Sequence, residues 1–314
     1  MSRRRCLALF ASAAALPLTA EAATTDSPTW QGTAMGGDVS IRLEGFSAAE
    51  SAELTKLAVS ELDRLEDVFS LYRPSSALSK LNRDGVCSEA PEELIAALKF
   101  CRNLYEKSGR AFDPSVQKLW ESYEAGKSDL AEVLTLVDFD RVHVSGSDVI
   151  LPVGMALTLN GIAQGIATDG ITALMRKAGA RHTLINLGEF RALGPKLDGS
   201  AWRVGLRDPS AIWRTSDVVH LRSGALATSA GSGHRFRNGH HLFDPRSGQS
   251  AQHFDSVSVV APTATLADGL STALYVLPLE RARQMVSQYD NVAARFTCAD
   301  GRIILTDRWK DLVA

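Results

Sequence analysis

Apolar residues recur at intervals of three and four positions in several stretches of the chain, which is the spacing of one face of a helix. The first stretch begins with the letters SAAE at residues 47–50, a capping-box pattern that predicts the start of a helix. Pro and Gly, which favour opposite ends of helices, mark the limits of the next one. Helices are therefore predicted after Ser47, from about Pro91 to Gly109, and over residues 162–177 and 266–277.

Short runs rich in Val, Ile and Leu lie between these helices and predict strands. Because strands and helices mix without a regular βαβ alternation, the predicted fold class is α+β. The last two strands flank Asp300-Gly301 and form a predicted hairpin. The predicted strands cover residues 32–43 (as an edge strand), 142–144, 149–151, 156–159, 183–186, 202–206, 255–260, 292–296 and 303–305.

The N-terminus has the three parts of a signal peptide. Arginines at residues 3–5 precede an apolar run over residues 7–18, and Ala20-Glu21-Ala22 offers a small-x-small cleavage site. The apolar run is shorter than the roughly 20 residues of a membrane span, and the arginine pair resembles a twin-arginine signal. We therefore expect a periplasmic protein. Its predicted parts are a signal peptide over 1–22, a flexible leader over 23–31 and one domain over 32–314.

Composition and missing motifs exclude several kinds of function. The formal net charge is −2 and no dense Lys or Arg cluster follows the first residues, so we expect no nucleic-acid partner. Cys87, Cys101 and Cys298 lack CxxC spacing and indicate no cysteine metal site. The sequence has no P-loop, HExxH or GxSxG motif, so a bound nucleotide would need another kind of site.

Three segments depart from what packing alone would select: SGRAFDP at 108–114, LTLNGIAQG at 157–165 and APTATLADGLSTA at 261–273. In the last segment Asp268 and Thr272 are four residues apart, so a carboxylate and a hydroxyl share one helix face. Such hard oxygen ligands suit Mg²⁺, which needs few protein ligands when its substrate is a pyrophosphate. A solvated polar helix face would show the same pattern.

The other two segments also allow two interpretations. Gly161 and Gly165 lie at a predicted helix start, where bare backbone can approach phosphate oxygens or offer a carbonyl to a metal. A plain tight turn would need the same glycines. Asp113, in the letters AFDP, is likewise typical of a turn in which the side chain bonds only local backbone.

Taken in order, these segments and several others resemble the ApbE-like FAD:protein FMN transferases. The resemblance covers about residues 32–306. It is carried by GTAMG at 32–36, FSLYRPSS at 69–76 with LN at 81–82, AFDP at 111–114, NGIAQG at 160–165, INLGE at 185–189, ATS at 227–229, HLFDPRSG at 241–248 and VVAPTA at 259–264 with AD at 267–268.

The resemblance implies an α+β enzyme that splits FAD, attaches the FMN half through a phosphoester to a Ser or Thr of a client flavoprotein, and releases AMP. It implies Mg²⁺ on Asp268, Thr272 and the backbone carbonyl of Gly161. It also implies a catalytic role for Asp268, with His241 as general base and Asp268 as the second choice for that base. The implied flavin contacts are Met35, Tyr72 (as a stacking surface), Ala111, Phe112, Asp113, Thr158, Gln164 and Leu242.

The chain departs from the family in one segment. The family commonly has DLGGIAKG where this chain has TLNGIAQG at residues 158–165, so Thr158 and Gln164 would make neutral contacts in place of a charge pair. This variant resembles the periplasmic maturation factors associated with nitrous oxide reductase. That likeness implies a membrane-bound flavoprotein of nitrous oxide respiration as the client.

Two other functions fit the same residues. A metal-dependent FAD pyrophosphatase would use water in place of the client hydroxyl and would yield FMN and AMP. A non-catalytic periplasmic flavin carrier would bind FAD without splitting it. Asp268 and Thr272 argue against the carrier, because a carrier has no need for a magnesium site.

Overall fold

The computed structural model describes residues 29–35, 37–209 and 211–313. The predicted signal peptide, and with it the prediction of export, lies outside these residues. Within the described ranges, no helix combines the length and the apolar character needed to cross a membrane.

The described residues form helices and strands that alternate irregularly along the chain. The helices are α1 Ala48–Phe69, α2 Ala77–Asp84, α3 Glu92–Lys107, α4 Gln117–Glu124, α5 Ala131–Leu134, α6 Ala163–Lys177, α7 Ala264–Val276, α8 Leu279–Val286 and α9 Trp309–Val313. The strands are β1 Thr29–Ala34, β2 Gly37–Glu44, β3 Val86–Cys87, β4 His143–Ser145, β5 Asp148–Ile150, β6 His182–Asn186, β7 Phe190–Leu193, β8 Trp202–Asp208, β9 Ala211–Leu221, β10 Gly224–Ala230, β11 Arg235–Phe236, β12 Gly239–His240, β13 Phe254–Ala261, β14 Ala293–Cys298 and β15 Ile303–Leu305.

An eight-stranded antiparallel sheet, in the order β1-β2-β6-β7-β10-β13-β14-β15, forms the centre of the fold. Successive side chains of a strand point to opposite faces. In β10, Ala225 and Ala227 pack with α1, α6 and α7, whereas Leu226 packs on the other face against the β8–β9 ribbon and Trp309 of α9. The sheet is therefore covered on both faces, and the predicted α+β class is confirmed.

Several predicted elements are confirmed. Ser47 caps α1 through a capping box with Glu50, and α3 begins directly after Pro91. The predicted helices over 162–177 and 266–277 correspond to α6 and α7, and the final hairpin is β14 and β15. Local signals predicted these elements because caps, turns and apolar periodicity all lie within the elements themselves.

Two predicted strands, one near the start of the chain and one just before α6, differ from what the structure shows. Residues 32–43 are not one strand, because the backbone turns at Met35 (φ 51°) and joins β1 to β2. Residues 29–31, assigned to the leader, belong to β1. Residues 156–159 form no strand. Their backbone bonds go instead to the side chain of Asn82, which pairs with both groups of Leu157, and to the carbonyl of Pro114.

The close crossing of α6 and α7 depends on Gly165. A Cβ atom there would lie 2.6 Å from the carbonyl oxygen of Ala264 and 2.7 Å from the Cα atom of Thr265. We expect Gly165→Ala to lower the free energy of unfolding by about 1–3 kcal/mol, measured in urea, because one backbone must move. Gly170→Ala is the control, since its Cβ would meet only Leu65 Cδ1 at 3.5 Å. The control should be neutral or stabilising, and equal losses in both variants would contradict the crowding.

Candidate functional site

A cavity of about 130 Å³ opens between the segment before α4, the N-terminus of α6, the end of β10 and one face of α7. The turn-rich segment after β12 closes another side. The lining includes ten of the residues that the sequence resemblance assigned to the site: Ala111, Phe112, Asp113, Thr158, Gly161, Gln164, His241, Leu242, Asp268 and Thr272. Residues separated by more than 150 positions therefore meet in one place.

The start of α7 is fixed by side chains that bond its free amide groups. The hydroxyl of Thr263 accepts from the N–H of Leu266, and the carboxylate of Asp169 accepts from the N–H groups of Ala264 and Thr265. Helix starts leave such donors unpaired unless a cap satisfies them. The helix therefore has a defined orientation, and this orientation directs its polar face into the cavity.

Asp268 is a buried carboxylate on that face. Its Oδ2 atom accepts a hydrogen bond from the N–H of Gly165 at 3.0 Å. Burial raises the pKa of Asp268 to about 7, and the negative charge of Asp169 acts in the same direction. A bound cation would favour the ionised form, because an opposite charge offsets the loss of solvation.

Thr272 and Gly161 lie close together in the lining of the same cavity. A Cβ atom on Gly161 would lie 3.2 Å from Thr272 Oγ1 and 3.1 Å from a ring carbon of Phe112, so a side chain there would require these neighbours to shift. Ser229 Oγ lies 3.3 Å from Thr272 Oγ1. Among the residues described, no three His, Cys, Asp or Glu side chains cluster as a metal site. A carboxylate, a hydroxyl and a carbonyl nevertheless fit Mg²⁺, which keeps waters and substrate oxygens as its other ligands.

His241 presents one free ring nitrogen. Its ring Nδ1 lies 3.2 Å from the carbonyl oxygen of His234, which makes Nδ1 the protonated nitrogen and leaves Nε2 with a lone pair. Burial lowers the pKa of His241 to about 4, so the ring is neutral near pH 7. The adjacent His240 is different, because its Nε2 bonds the carbonyl of Ala251 and its Nδ1 accepts from the N–H of Leu242. Of the two, His241 alone lines the cavity and can accept a proton there.

The neutral ring of His241 makes stability depend on pH. A histidine in the unfolded chain has its usual pKa of 6.5, whereas burial lowers the pKa of His241 to about 4. Between these values the unfolded chain binds more protons, so the free energy of unfolding falls as the pH decreases through this window. We expect a loss on the order of 2 kcal/mol between pH 7 and pH 5 in urea unfolding. His241→Gln should lack this part of the pH dependence. If the wild type and His241→Gln lose the same free energy of unfolding between pH 7 and pH 5, His241 is not its source.

The carboxylate of Asp113 is bonded both within its own turn and to a more distant loop. Asp113 Oδ1 accepts from the N–H and the hydroxyl of Ser115, and Oδ2 accepts from the N–H of Phe139 at 3.4 Å. Both oxygens are thus bonded within the protein, and the residue lines the cavity while holding its own loop. Gln164 is the opposite case, because its buried Nε2 atom has no hydrogen-bond partner among the described residues and can donate to a ligand.

Met35 and Tyr72, also assigned to the flavin, do not line the cavity. Met35 is buried at the β1–β2 turn, where its N–H donates to Glu66 Oε1 at 2.7 Å. Tyr72 is 50% exposed, and its partial burial together with the charge of Glu124 raises its pKa. Glu124 Oε2 lies 3.7 Å from Nε2 of His234, which lines the cavity. Tyr72 is therefore near enough to Glu124 to be affected by its charge, but it is not part of the cavity lining.

The sequence analysis assigned no role to the other lining residues, among them Trp120, Glu189, Ser229 and His234. Trp120 stacks on His234 with ring centroids 5.5 Å apart, and Ser229 bonds the hydroxyls of α7. Glu189 is a buried carboxylate. Glu189 and Ser229 belong to the segments INLGE and ATS. Both segments are part of the resemblance to the family, but the resemblance implied no role for their individual residues. Trp120 and His234 have no sequence signal beyond being aromatic.

A cavity that combines buried carboxylates, hydroxyls and a neutral histidine is typical of an enzyme active site. Residues 35–296 match the ApbE family, and the chain belongs to that family. A relative from Treponema pallidum, named FAD:protein FMN transferase, is 35% identical over 278 residues, which cover 77% of this chain and 76% of the relative. A relative of the same name from Escherichia coli K12 is 26% identical over 300 residues, covering 86% and 84%.

Solved structures show the same fold. The ApbE protein from Thermotoga maritima has a TM-score of 0.83 at 24% identity and covers 92% of this chain and 99% of its own. The flavin transferase ApbE from Vibrio cholerae has a TM-score of 0.79 at 21% identity, with coverage of 91% and 99%. The predicted likeness to ApbE-type flavin transferases is thereby confirmed for the fold.

Proposed function

We propose that this chain is a magnesium-dependent FAD:protein FMN transferase. It cleaves FAD and attaches FMN through a phosphoester to a Ser or Thr of a client flavoprotein, with release of AMP. The observation that carries the proposal is the meeting of Asp268, Thr272, Gly161 and His241 in one cavity. The names of the Treponema and Escherichia relatives support the same activity.

The chemistry is a displacement at the phosphorus next to riboflavin. His241 Nε2 takes the proton of the client hydroxyl, whose oxygen then bonds to phosphorus while the bond from phosphorus to the AMP oxygen breaks. AMP leaves with that electron pair. Asp268, Thr272 and the carbonyl of Gly161 would hold Mg²⁺, which when bound offsets negative charge on the pyrophosphate and on the leaving AMP.

Four lining residues without charge orient FAD. Phe112 and Leu242 offer apolar surface, and Thr158 and Gln164 offer neutral polar groups. The free Nε2 group of Gln164 suits a carbonyl or hydroxyl of the ligand. The apolar surface of Phe112 and Leu242 offers water few hydrogen-bond partners, which favours transfer to a positioned hydroxyl over hydrolysis.

A direct test incubates the enzyme with FAD, Mg²⁺ and a fragment of a candidate client. The intact mass of the fragment should increase by one FMN unit, and a fragment whose acceptor Ser or Thr is replaced by Ala should stay unchanged. FMN appearing only in solution, with both fragments unmodified, would identify the protein as an FAD pyrophosphatase.

We further propose that the protein is exported by a twin-arginine signal and serves a membrane-bound flavoprotein of nitrous oxide respiration. The support is the N-terminal sequence and the segment TLNGIAQG at residues 158–165. Replacing Arg3 and Arg4 by Lys should hold the precursor in the cytoplasm, measured by cell fractionation. An unchanged periplasmic yield would contradict the twin-arginine route.

A further inference from the structure

Glu189 lies at a turn that fixes its side chain against the cavity. The turn joins β6 to β7, with the N–H of Gly188 bonded to Asn186 Oδ1 at 3.1 Å and the N–H of Leu187 bonded to the carbonyl of Glu189. Gly188 has a φ of 105°, which side-chain-bearing residues rarely adopt. The exposed fraction of Glu189 is 3%, and the residue lines the cavity.

The carboxylate of Glu189 is only half satisfied. The backbone N–H of Thr228 favours its charged form, but its Oε2 atom is buried and has no partner among the described residues. A buried oxygen without a partner is costly, because it has lost its bonds to water. Such an atom at the wall of a binding cavity indicates that a ligand supplies the missing partner.

The charges around the cavity indicate which kind of ligand this is. Glu189 and Asp268 repel each other, and Asp113 adds a third carboxylate. No Lys or Arg is present among the described residues of the lining. A pyrophosphate would bring further negative charge into this cavity, so binding it requires positive charge that the protein side chains do not provide. A divalent cation shared by the carboxylates and the phosphates meets that requirement.

We propose that Glu189 is a second carboxylate of the cation site and directs its Oε2 atom into the cation's coordination shell together with Asp268 and Thr272. This inference rests on the proposed function, because it assumes the cation on Asp268. Asp113 does not share the role, since its oxygens are bonded to Ser115 and Phe139.

The test measures the affinity of the purified protein for Mn²⁺, as a probe for Mg²⁺, by electron paramagnetic resonance without FAD. Glu189→Gln keeps the size of the side chain and its acceptor for Thr228, and we expect it to weaken Mn²⁺ binding roughly 10- to 100-fold. Glu189→Asp keeps the charge on a shorter side chain and should recover part of the loss. Glu124→Gln removes an exposed carboxylate that lies beside His234 but does not line the cavity, and it should bind Mn²⁺ as the wild type does.

Asp268→Asn separates this inference from the proposed function. If Asp268→Asn loses Mn²⁺ while Glu189→Gln binds it as the wild type does, the cation site stands and the role of Glu189 is overturned. If the wild type binds no Mn²⁺, the cation site and the role of Glu189 both fall. Circular dichroism shows whether each variant is folded. If Glu189→Gln does not fold, the Mn²⁺ affinity of Glu189→Asp is compared with that of the wild type instead.

Discussion

Replacing Asp268 by Ala should abolish FAD turnover while the protein stays folded. We expect a loss on the order of 10³-fold in the rate of AMP release, because the variant lacks the charged group that would hold the cation at the pyrophosphate. The fold should survive because the substitution removes a buried carboxylate that burial already disfavours in its ionised form. The measurement is AMP release at saturating FAD over a series of Mg²⁺ concentrations.

Two further variants separate charge from shape at this position. Asp268→Asn can still accept the hydrogen bond from Gly165 but carries no charge, so it should be almost as inactive as Asp268→Ala. Asp255→Ala removes an exposed carboxylate from β13 and should leave the rate unchanged. Near-normal turnover of Asp268→Asn at limiting Mg²⁺ would mean that the cation binds elsewhere.

Replacing His241 by Ala should reduce transfer of FMN more than hydrolysis of FAD. We expect transfer to fall by about 10²- to 10⁴-fold, because a positioned base acts on a client hydroxyl that is bound in line with phosphorus. Attack by water depends less on a single fixed base, so the rate of FAD hydrolysis should decrease less than the rate of FMN transfer. The measurement is the ratio of client-bound FMN to free FMN, with and without the client.

His240→Gln is the matched control for this ratio. His240 bonds Ala251 and Leu242 and does not line the cavity, so its loss should affect stability and leave the ratio of transfer to hydrolysis unchanged. Equal decreases of transfer and hydrolysis in His241→Ala would show that His241 acts in binding or folding and not as the base for the client.

The sequence predicted those parts of the fold and site that depend on local signals. The capping box at Ser47, the start of α3 after Pro91 and the shared face of Asp268 and Thr272 all follow from the spacing of neighbouring residues. The interpretation of residues 268 and 272 as a solvated helix face was wrong, because Asp268 is buried, Thr272 is half-buried, and both line the cavity.

Features that depend on distant residues were not predictable in the same way. Residues 156–159 have a strand-like apolar pattern, but the side chain of Asn82 takes the place of a neighbouring strand. Whether His240 or His241 has a ring nitrogen free to act as the base depends on their contacts with the carbonyl groups of Ala251 and His234. The sequence does not reveal these contacts. These contacts arise only when the segments pack together, so they lie beyond periodicity and caps.

The same limit applies to Glu189. Its position after Asn-Leu-Gly marks the end of β6, but nothing in the sequence shows that one carboxylate oxygen is buried without a partner. That property results from the meeting of β7, β10 and α7 around the cavity. A carboxylate in a turn is otherwise typical of an exposed loop.

The most direct test of the proposed activity compares two products of one reaction. With FAD, Mg²⁺ and the right client, AMP release should accelerate relative to FAD and Mg²⁺ alone, because the client hydroxyl has a high effective concentration at phosphorus. The amount of AMP released should equal the amount of flavin that stays on the client after denaturation. Rapid AMP release that is indifferent to the client, with no flavin retained on protein after denaturation, would contradict the transferase account.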